Sequence, residues 1–274
     1  MALPDHKDTK GSNWTDLRIR VISGFVLAVL GALLLFSSGI WLRLGVSVLT
    51  GLMRWELVRM TAADGPGTGD PRRALAIGVL AGLVMLISIP LMLFSGAWPV
   101  LLVLFPIMAG WPGTAVRHRL PFVIFTLAIF GAGYGLFVIR EEYGLIPTLW
   151  IVSCVMVSDI AGYFVGRMLG GPKFWPAISP KKTWSGTVAG WAGALLLTLI
   201  LILATGSTDW SMLLAGPSIA FSGQLGDIAE SWLKRRVGIK DSSDLIPGHG
   251  GVMDRFDAMS GAFAVALTLY LLGI

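Results

Sequence analysis

The sequence predicts an all-α, polytopic integral membrane protein with nine transmembrane helices and a cytoplasmic N-terminus. Three observations carry that expectation. The 274 residues are 55% hydrophobic and only 14% charged, with a mean hydropathy of +0.76. Soluble chains carry about 25% charged residues, and a soluble fold this apolar would lack polar groups to cover its surface. Apolar stretches near the length of about 20 residues that crosses a hydrocarbon core recur along the chain. The basic residues, finally, fall on one side of the spans so defined, as lysine and arginine do on the cytoplasmic side of membranes.

The spans are expected at roughly 19–37, 40–58, 74–94, 97–113, 121–139, 145–166, 186–205, 210–232 and 256–273. The first resembles a signal peptide in hydropathy. A long polar stretch precedes it and no clear cleavage site follows, so it is expected to remain as a helix. The fourth is short and contains Pro99 and Pro106, and the sixth and eighth contain acids. With the N-terminus inside, the tail contributes Lys7, Lys10, Arg18 and Arg20 to the cytoplasmic side. Arg54, Arg59, Arg72 and Arg73 follow around the end of the second span, and Arg117 and Arg119 after the fourth. Arg167, Lys173, Lys181 and Lys182 follow the sixth; Lys234, Arg235, Arg236, Lys240 and Arg255 follow the eighth. Of the 21 basic residues only Arg43 and Arg140 fall on the other side.

This partition accounts for the net charge of +5 without a nucleic-acid partner. It also puts the two long polar connections of the second half, 167–185 and 233–255, on one face, in the compartment that holds nucleotides. The chain divides into about five N-terminal helices (1–140), expected to be scaffold, and a C-terminal catalytic region (141–274). The loop at 61–73 is turn chemistry with no site in it. Cys154 is the sole cysteine and lies in an apolar run, which excludes a disulfide framework and a cysteine zinc site. No internal repeat is evident, which weakens a transporter built on inverted repeats.

The chemistry concentrates at 224–257. Asp227, Glu230, Ser231 and Lys234 are spaced i, i+3, i+4, i+7 and share one helix face, as do Asp254 and Asp257 three residues apart. Two acid-bearing helix ends joined by a basic, Gly-rich loop can build a site for Mg²⁺, which keeps waters and bridges to substrate phosphates. Lysines and arginines can hold the remaining phosphate oxygens. Lys234–Arg236 alone would read as an ordinary cytoplasmic anchor. Asp227 and Glu230 would not, because acids at the membrane boundary are expensive and mark function. His249, between glycines, can be a ligand, a proton carrier or a turn residue.

A second polar island lies upstream. Asp159, Gly162, Tyr163 and Gly166 share a face of the sixth span. The glycines suit close helix packing, whereas Asp159 needs a cationic partner or a metal. Lys181, Lys182, Thr183 and Ser185, beside Trp184, suit a lipid phosphate or a nucleotide tail, though basic residues there also serve as an anchor. No Walker A, His-Glu-x-x-His or Gly-x-Ser-x-Gly motif occurs. Metal-assisted phosphoryl chemistry remains.

One run is distinctive: Ser231-x-Leu233-Lys234-Arg235, then Lys240-Asp241-x-Ser243, then Ile246-Pro247-x-His249-Gly250-Gly251-Val252-x-Asp254-Arg255-Phe256-Asp257. It resembles the signature of the phosphatidate cytidylyltransferase (CDP-diacylglycerol synthase) family. Ser158-Asp159 with Gly162-Tyr163, the block Ser179–Gly186, and Gln224-x-Gly226-Asp227 are similar to further blocks of that family. The resemblance covers about 150–257, with Trp55-Glu56 a weak echo. It implies a multi-span helical homodimer of bacterial inner-membrane type, with a cytoplasmic site that transfers CMP from CTP to phosphatidic acid. Asp227 and Asp254 would then be metal carboxylates, with Asp257 close by and Asp159 and Glu230 as further candidates. Ser231, Lys234 and Arg235 complete the catalytic set. Lys181, Lys182, Thr183, Ser185, Lys240, Asp241, His249 and Arg255 form the expected substrate-binding set. Mg²⁺ is the expected cofactor, with a second metal or a monovalent cation left open. The pattern of a CDP-alcohol phosphotransferase is missing, and an ion transporter would spread its acids through the membrane midplane.

Overall fold

Helices follow the expected spans closely in the computed structural model, which describes residues 9–95, 98–206 and 208–272. They are α1 (Thr9–Phe36), α2 (Gly39–Met60), α3 (Pro71–Ser95), α4 (Leu104–Gly110), α5 (Arg119–Val138), α6 (Leu145–Leu169), α7 (Trp184–Thr205), α8 (Met212–Val237) and α9 (Met253–Leu271). Lys7, Ala97 and Gly273, which belong to expected segments, lie outside the described residues. The protein is an all-α membrane protein. Among the described residues, five helical stretches are long and apolar enough to cross a bilayer: Leu17–Phe36, Pro71–Met92, Val116–Tyr143, Leu145–Leu169 and Trp184–Thr205. The helices α2, α8 and α9 fall short of that standard because they carry charged residues, among them Arg54, Glu56, Asp227, Glu230, Asp254 and Asp257.

The fourth expected span is broken. It runs as a 3₁₀ segment (Trp98–Val103), the short α4 and a second 3₁₀ turn (Trp111–Gly113). Prolines at 99, 106 and 112 explain this, since each lacks an N–H and clashes with the preceding turn. Arg54, fully buried on α2, donates from Nη2 to the Pro106 carbonyl at 2.9 Å and stacks 4.0 Å from the Phe122 ring centroid.

Helix ends agree with local chemistry. α8 carries Lys234, Arg235 and Arg236 in its last turn, where the helix dipole favours cations, and stops at Gly238 in the left-handed region. Thr183 caps the start of α7: its Oγ1 accepts from the Gly186 N–H at 3.2 Å. The connection before α7 is more ordered than a plain polar loop. It forms an antiparallel hairpin of β1 (Lys173–Trp175) and β2 (Ser179–Thr183), with Lys173 opposite Thr183 and Trp175 opposite Ser179. Phe174 packs on Trp184 with ring centroids 4.5 Å apart, so the hairpin is tied to the start of α7.

Two apolar clusters hold the bundle. The larger joins α2, α3 and α5 to α6–α9, through Val46, Met85, Phe130, Cys154, Ala194 and Phe263 among others. The smaller lies under the 238–252 loop and includes Met53, Leu57, Phe122, Leu233, Val237 and Met253. α6 and α7 approach closely where Gly162 and Gly186 meet, since a Cβ at Gly186 would collide with the Gly162 carbonyl and one at Gly162 would press on the Gly186 carbonyl. That is the small-residue packing expected from the sequence.

Candidate active site

The β2–α7 junction, α6 and α8 surround a polar cavity of about 670 Å³. Lys182, the penultimate residue of β2, reaches across it, and its Nζ lies 2.5 Å from Asp227 Oδ2 on α8. Asp159 on α6 lines the same space and is near enough to Lys182 and Asp227 to feel both charges. Lys181, Thr183, Arg167 and Lys173 also face it, so the walls are mainly cationic around two carboxylates. Gln224 fixes the three helices: its Nε2 donates to Ser158 Oγ at 2.9 Å and to the Thr187 carbonyl at 3.3 Å. Its Oε1 accepts from Trp191 Nε1 at 3.0 Å. Ser185 does not line this cavity; its hydroxyl donates to the Gly170 carbonyl, closing the hairpin's base.

A second polar cluster lies at the start of α9 and is closed. Lys234 Nζ sits 2.5 Å from Glu230 Oε2 and 2.6 Å from Asp254 Oδ1. The other Asp254 oxygen accepts from Ser242 N (2.8 Å), Ser242 Oγ (3.0 Å) and Gly251 N (2.8 Å). Burial opposes ionisation of Asp254. The Lys234 ammonium and the Gly251 and Ser242 N–H groups outweigh it and hold the carboxyl below the usual carboxylate range. The side chain of Asp254 is only 4% exposed, against 37% for Asp227.

Behind Asp254 stands a residue that the sequence marked only as part of a weak family echo and gave no role. Glu56 on α2 is fully buried and accepts four hydrogen bonds. They come from Ser243 Oγ (2.6 Å), Ser242 Oγ (3.2 Å), Val252 N (2.8 Å) and Met253 N (2.7 Å). Two of these donors are backbone groups at the α9 N-terminus, where a carboxylate is favoured. Glu56 thus fixes both strands of the 238–252 loop. A Cβ at Gly251 would collide with Ser242 Oγ and Glu56, and Gly250 has φ 81°, so neither glycine has a ready substitute.

The remaining expected residues scatter around this core. Asp257 lies one turn past Asp254, close enough to Asp227 and Asp159 to sense their charge. Ser231 is half-buried on α8. Arg235 is exposed, with Nη1 3.4 Å from the Ile239 carbonyl, and Lys240 and Asp241 are exposed on the loop. His249 shares a 2.8 Å hydrogen bond between Nδ1 and Ser23 Oγ on α1, and its carbonyl accepts from Arg255 Nε at 2.9 Å. Its visible contacts are those of a turn residue that docks α1.

Among the described residues no three His, Cys, Asp or Glu side chains converge at metal-ligating distances. Mg²⁺ needs only one or two carboxylates when waters and substrate phosphates fill its shell. Asp227 and Asp159, open to the cavity, fit that demand, and the Lys182 ammonium already marks a cation position on Asp227. The Asp254 oxygens are engaged by Lys234, Ser242 and Gly251, so Asp254 would reach a metal only by exchanging one of these.

The model that describes the cytidylyltransferase family matches residues 18–273. The chain belongs to that family. It is 46% identical over 136 residues to the phosphatidate cytidylyltransferase of Brucella suis biovar 1 (strain 1330), a match covering 48% of each chain. It is 36% identical over 139 residues to the phosphatidate cytidylyltransferase of Staphylococcus haemolyticus (strain JCSC1435), covering 50% of this chain and 54% of that one. The chain spans about half the length of the curated relatives it matches.

Proposed function

We propose that the protein is a CTP:phosphatidate cytidylyltransferase, forming CDP-diacylglycerol and pyrophosphate for phospholipid synthesis. The observation that carries this reading is the open polar cavity in which Lys182 meets Asp227 beside Asp159. Its cationic walls suit a triphosphate, and its carboxylates suit the metal that accompanies one. Similarity to proteins named phosphatidate cytidylyltransferase supplies the choice of base and lipid.

In this mechanism a phosphate oxygen of phosphatidic acid attacks the α-phosphorus of CTP in line. The new P–O bond forms as the bond to the β-phosphate bridging oxygen breaks, and pyrophosphate leaves. A phosphomonoester has its second pKa near about 6, so the nucleophile is already anionic and no strong general base is required. Asp227 would hold Mg²⁺, with Asp254, Asp257, Asp159 and Glu230 as the neighbouring carboxylates. When bound, the ion would neutralise charge on the transferred and leaving phosphates. Lys181, Lys182 and the first turn of α7 would hold the triphosphate, where backbone N–H groups point at the ligand. Lys234, Ser231 and Arg235 would serve the lipid phosphate.

The same reading sets the topology. Nine crossings, an N-terminus inside and a cytoplasmic site place CTP and the lipid headgroup on one face of a bacterial inner membrane. The positive-inside partition supports this. A homodimer is implied by the family resemblance, and no nucleic-acid partner is needed. The test is an assay of purified protein with phosphatidic acid, Mg²⁺ and each of the four ribonucleoside triphosphates. The expected result is pyrophosphate release and a nucleotide-bearing lipid with CTP far above the others. Equal release with ATP, or release without a lipid product, overturns the proposal.

A further inference from the structure

A second cavity, of about 330 Å³, lies away from the polar one, between α1, α2, α5 and α9. Its walls run in a consistent direction. One end has Leu27 of α1, Met53 of α2 and Ile129 of α5, and the other has Leu35, Val46 and Leu136 of the same helices. On α9 it extends from Arg255 to Phe263. Seven to eight residues at 1.5 Å each make a slot about 11–12 Å long, parallel to the helices. Almost all of it is hydrocarbon; Arg255, at the end beside Asp254, supplies its one charge.

Protein interiors are close-packed, with few voids larger than a water molecule. An apolar slot offers water too few partners, and such cavities take apolar ligands. The straight shape and the cation at one end specify an anionic head on a hydrocarbon tail. Among the described residues Arg255 makes no ion pair, and its Nε is held by the His249 carbonyl at 2.9 Å. The same turn docks α1, because Ser23 Oγ donates to the Pro247 carbonyl at 2.9 Å and bonds His249. α1 itself contributes little packing, with none of its apolar span buried. The slot therefore has the lightly packed α1 as one wall and the 238–252 loop at its head.

We propose that this slot holds an acyl chain of the phosphatidic acid substrate, with Arg255 against its phosphate. The assignment rests on the reading of the chain as a phosphatidate cytidylyltransferase and adds where the lipid lies. It places the lipid on the α1 side of α9 and the nucleotide on the α6–α7 side of α8, with the Asp254–Asp257 turn between them.

The test uses the full chain in phosphatidylcholine nanodiscs and phosphatidic acid carrying a diazirine in one acyl chain. After illumination, label is expected on α1 and α9 peptides that border the slot, displaced by dioleoyl-phosphatidic acid much better than by dioleoyl-phosphatidylcholine. Arg255→Gln should abolish that preference. A Cβ at Gly31 meets nothing within 4 Å, so Gly31→Phe fills the slot without a backbone clash. It should remove the label and raise KM for dioleoyl- relative to dihexanoyl-phosphatidic acid by about tenfold or more, since each excluded methylene costs affinity. If that variant does not fold, Gly31→Leu is read by the same two measures. Equal displacement by both lipids, or undiminished labelling of a folded Gly31 variant, overturns the assignment. Selective labelling without turnover would leave the slot assigned and remove the proposed reaction; turnover without selective labelling would do the reverse.

Discussion

The two carboxylate clusters differ in how completely their oxygens are used. Around Asp254 and Glu56 both oxygens of each carboxylate are engaged by donors on α8, the 238–252 loop and the α9 N-terminus. Around Asp227 and Asp159 the carboxylates open into a large cavity, and Lys182 is the contact seen on Asp227. A saturated buried carboxylate sets shape, because moving it would strand its donors. An open one can exchange its partner for a ligand. The closed cluster is therefore the brace, and the open one is where chemistry is expected.

Four substitutions break or sharpen this contrast. Asp227→Asn should have the largest effect on catalysis, a fall in kcat of about 10²–10³-fold or more, as for loss of a preorganised electrostatic group. Its melting temperature should change little; a large loss of stability would make Asp227 a brace as well. Lys234→Met belongs to the other cluster and strands Glu230 and Asp254. Breaking a buried pair costs about 3–5 kcal/mol, so thermal melting in detergent should fall sharply. Glu56→Gln keeps one acceptor and sets an amide N–H₂ against N–H and O–H donors. A stability loss of about 1–3 kcal/mol is expected for one unsatisfied group, with faster hydrogen exchange across 242–253. CTP affinity should change far less, because Glu56 does not line the polar cavity proposed for the nucleotide. Arg235→Ala should matter least for stability, within about 0.5 kcal/mol, since the side chain is exposed at the end of α8.

The sequence made much of this arrangement visible, for physical reasons. Acids inside apolar helices are costly, which singled out Asp159, Asp227 and Glu230, and helical spacing placed Lys234 beside Glu230. Hydropathy located helices at each expected span, and the prolines at 99 and 106 marked the one that is broken. The reading of 1–140 as scaffold left Glu56 unassigned, because its partners lie about 190 residues away and spacing carries no such information. A signal was present nonetheless: Glu56 sits in an apolar stretch with Arg54, and the argument applied to Asp159 applies to it equally. The hairpin before α7 escaped because its strands are too short for alternation and Pro180 argues against a strand. Pairing of Lys182 with Asp227 was beyond reach for the same reason as Glu56, since it depends on how α6, α7 and α8 pack.

The most direct test of the central claim is single-turnover transfer from CTP labelled in its α-phosphate to phosphatidic acid. Wild type and Asp227→Asn would be compared in nanodiscs with Mg²⁺, with folding checked by melting. The account predicts labelled lipid from the wild type and almost none from an equally stable Asp227→Asn. Labelled lipid at near-normal rates from that variant would contradict it.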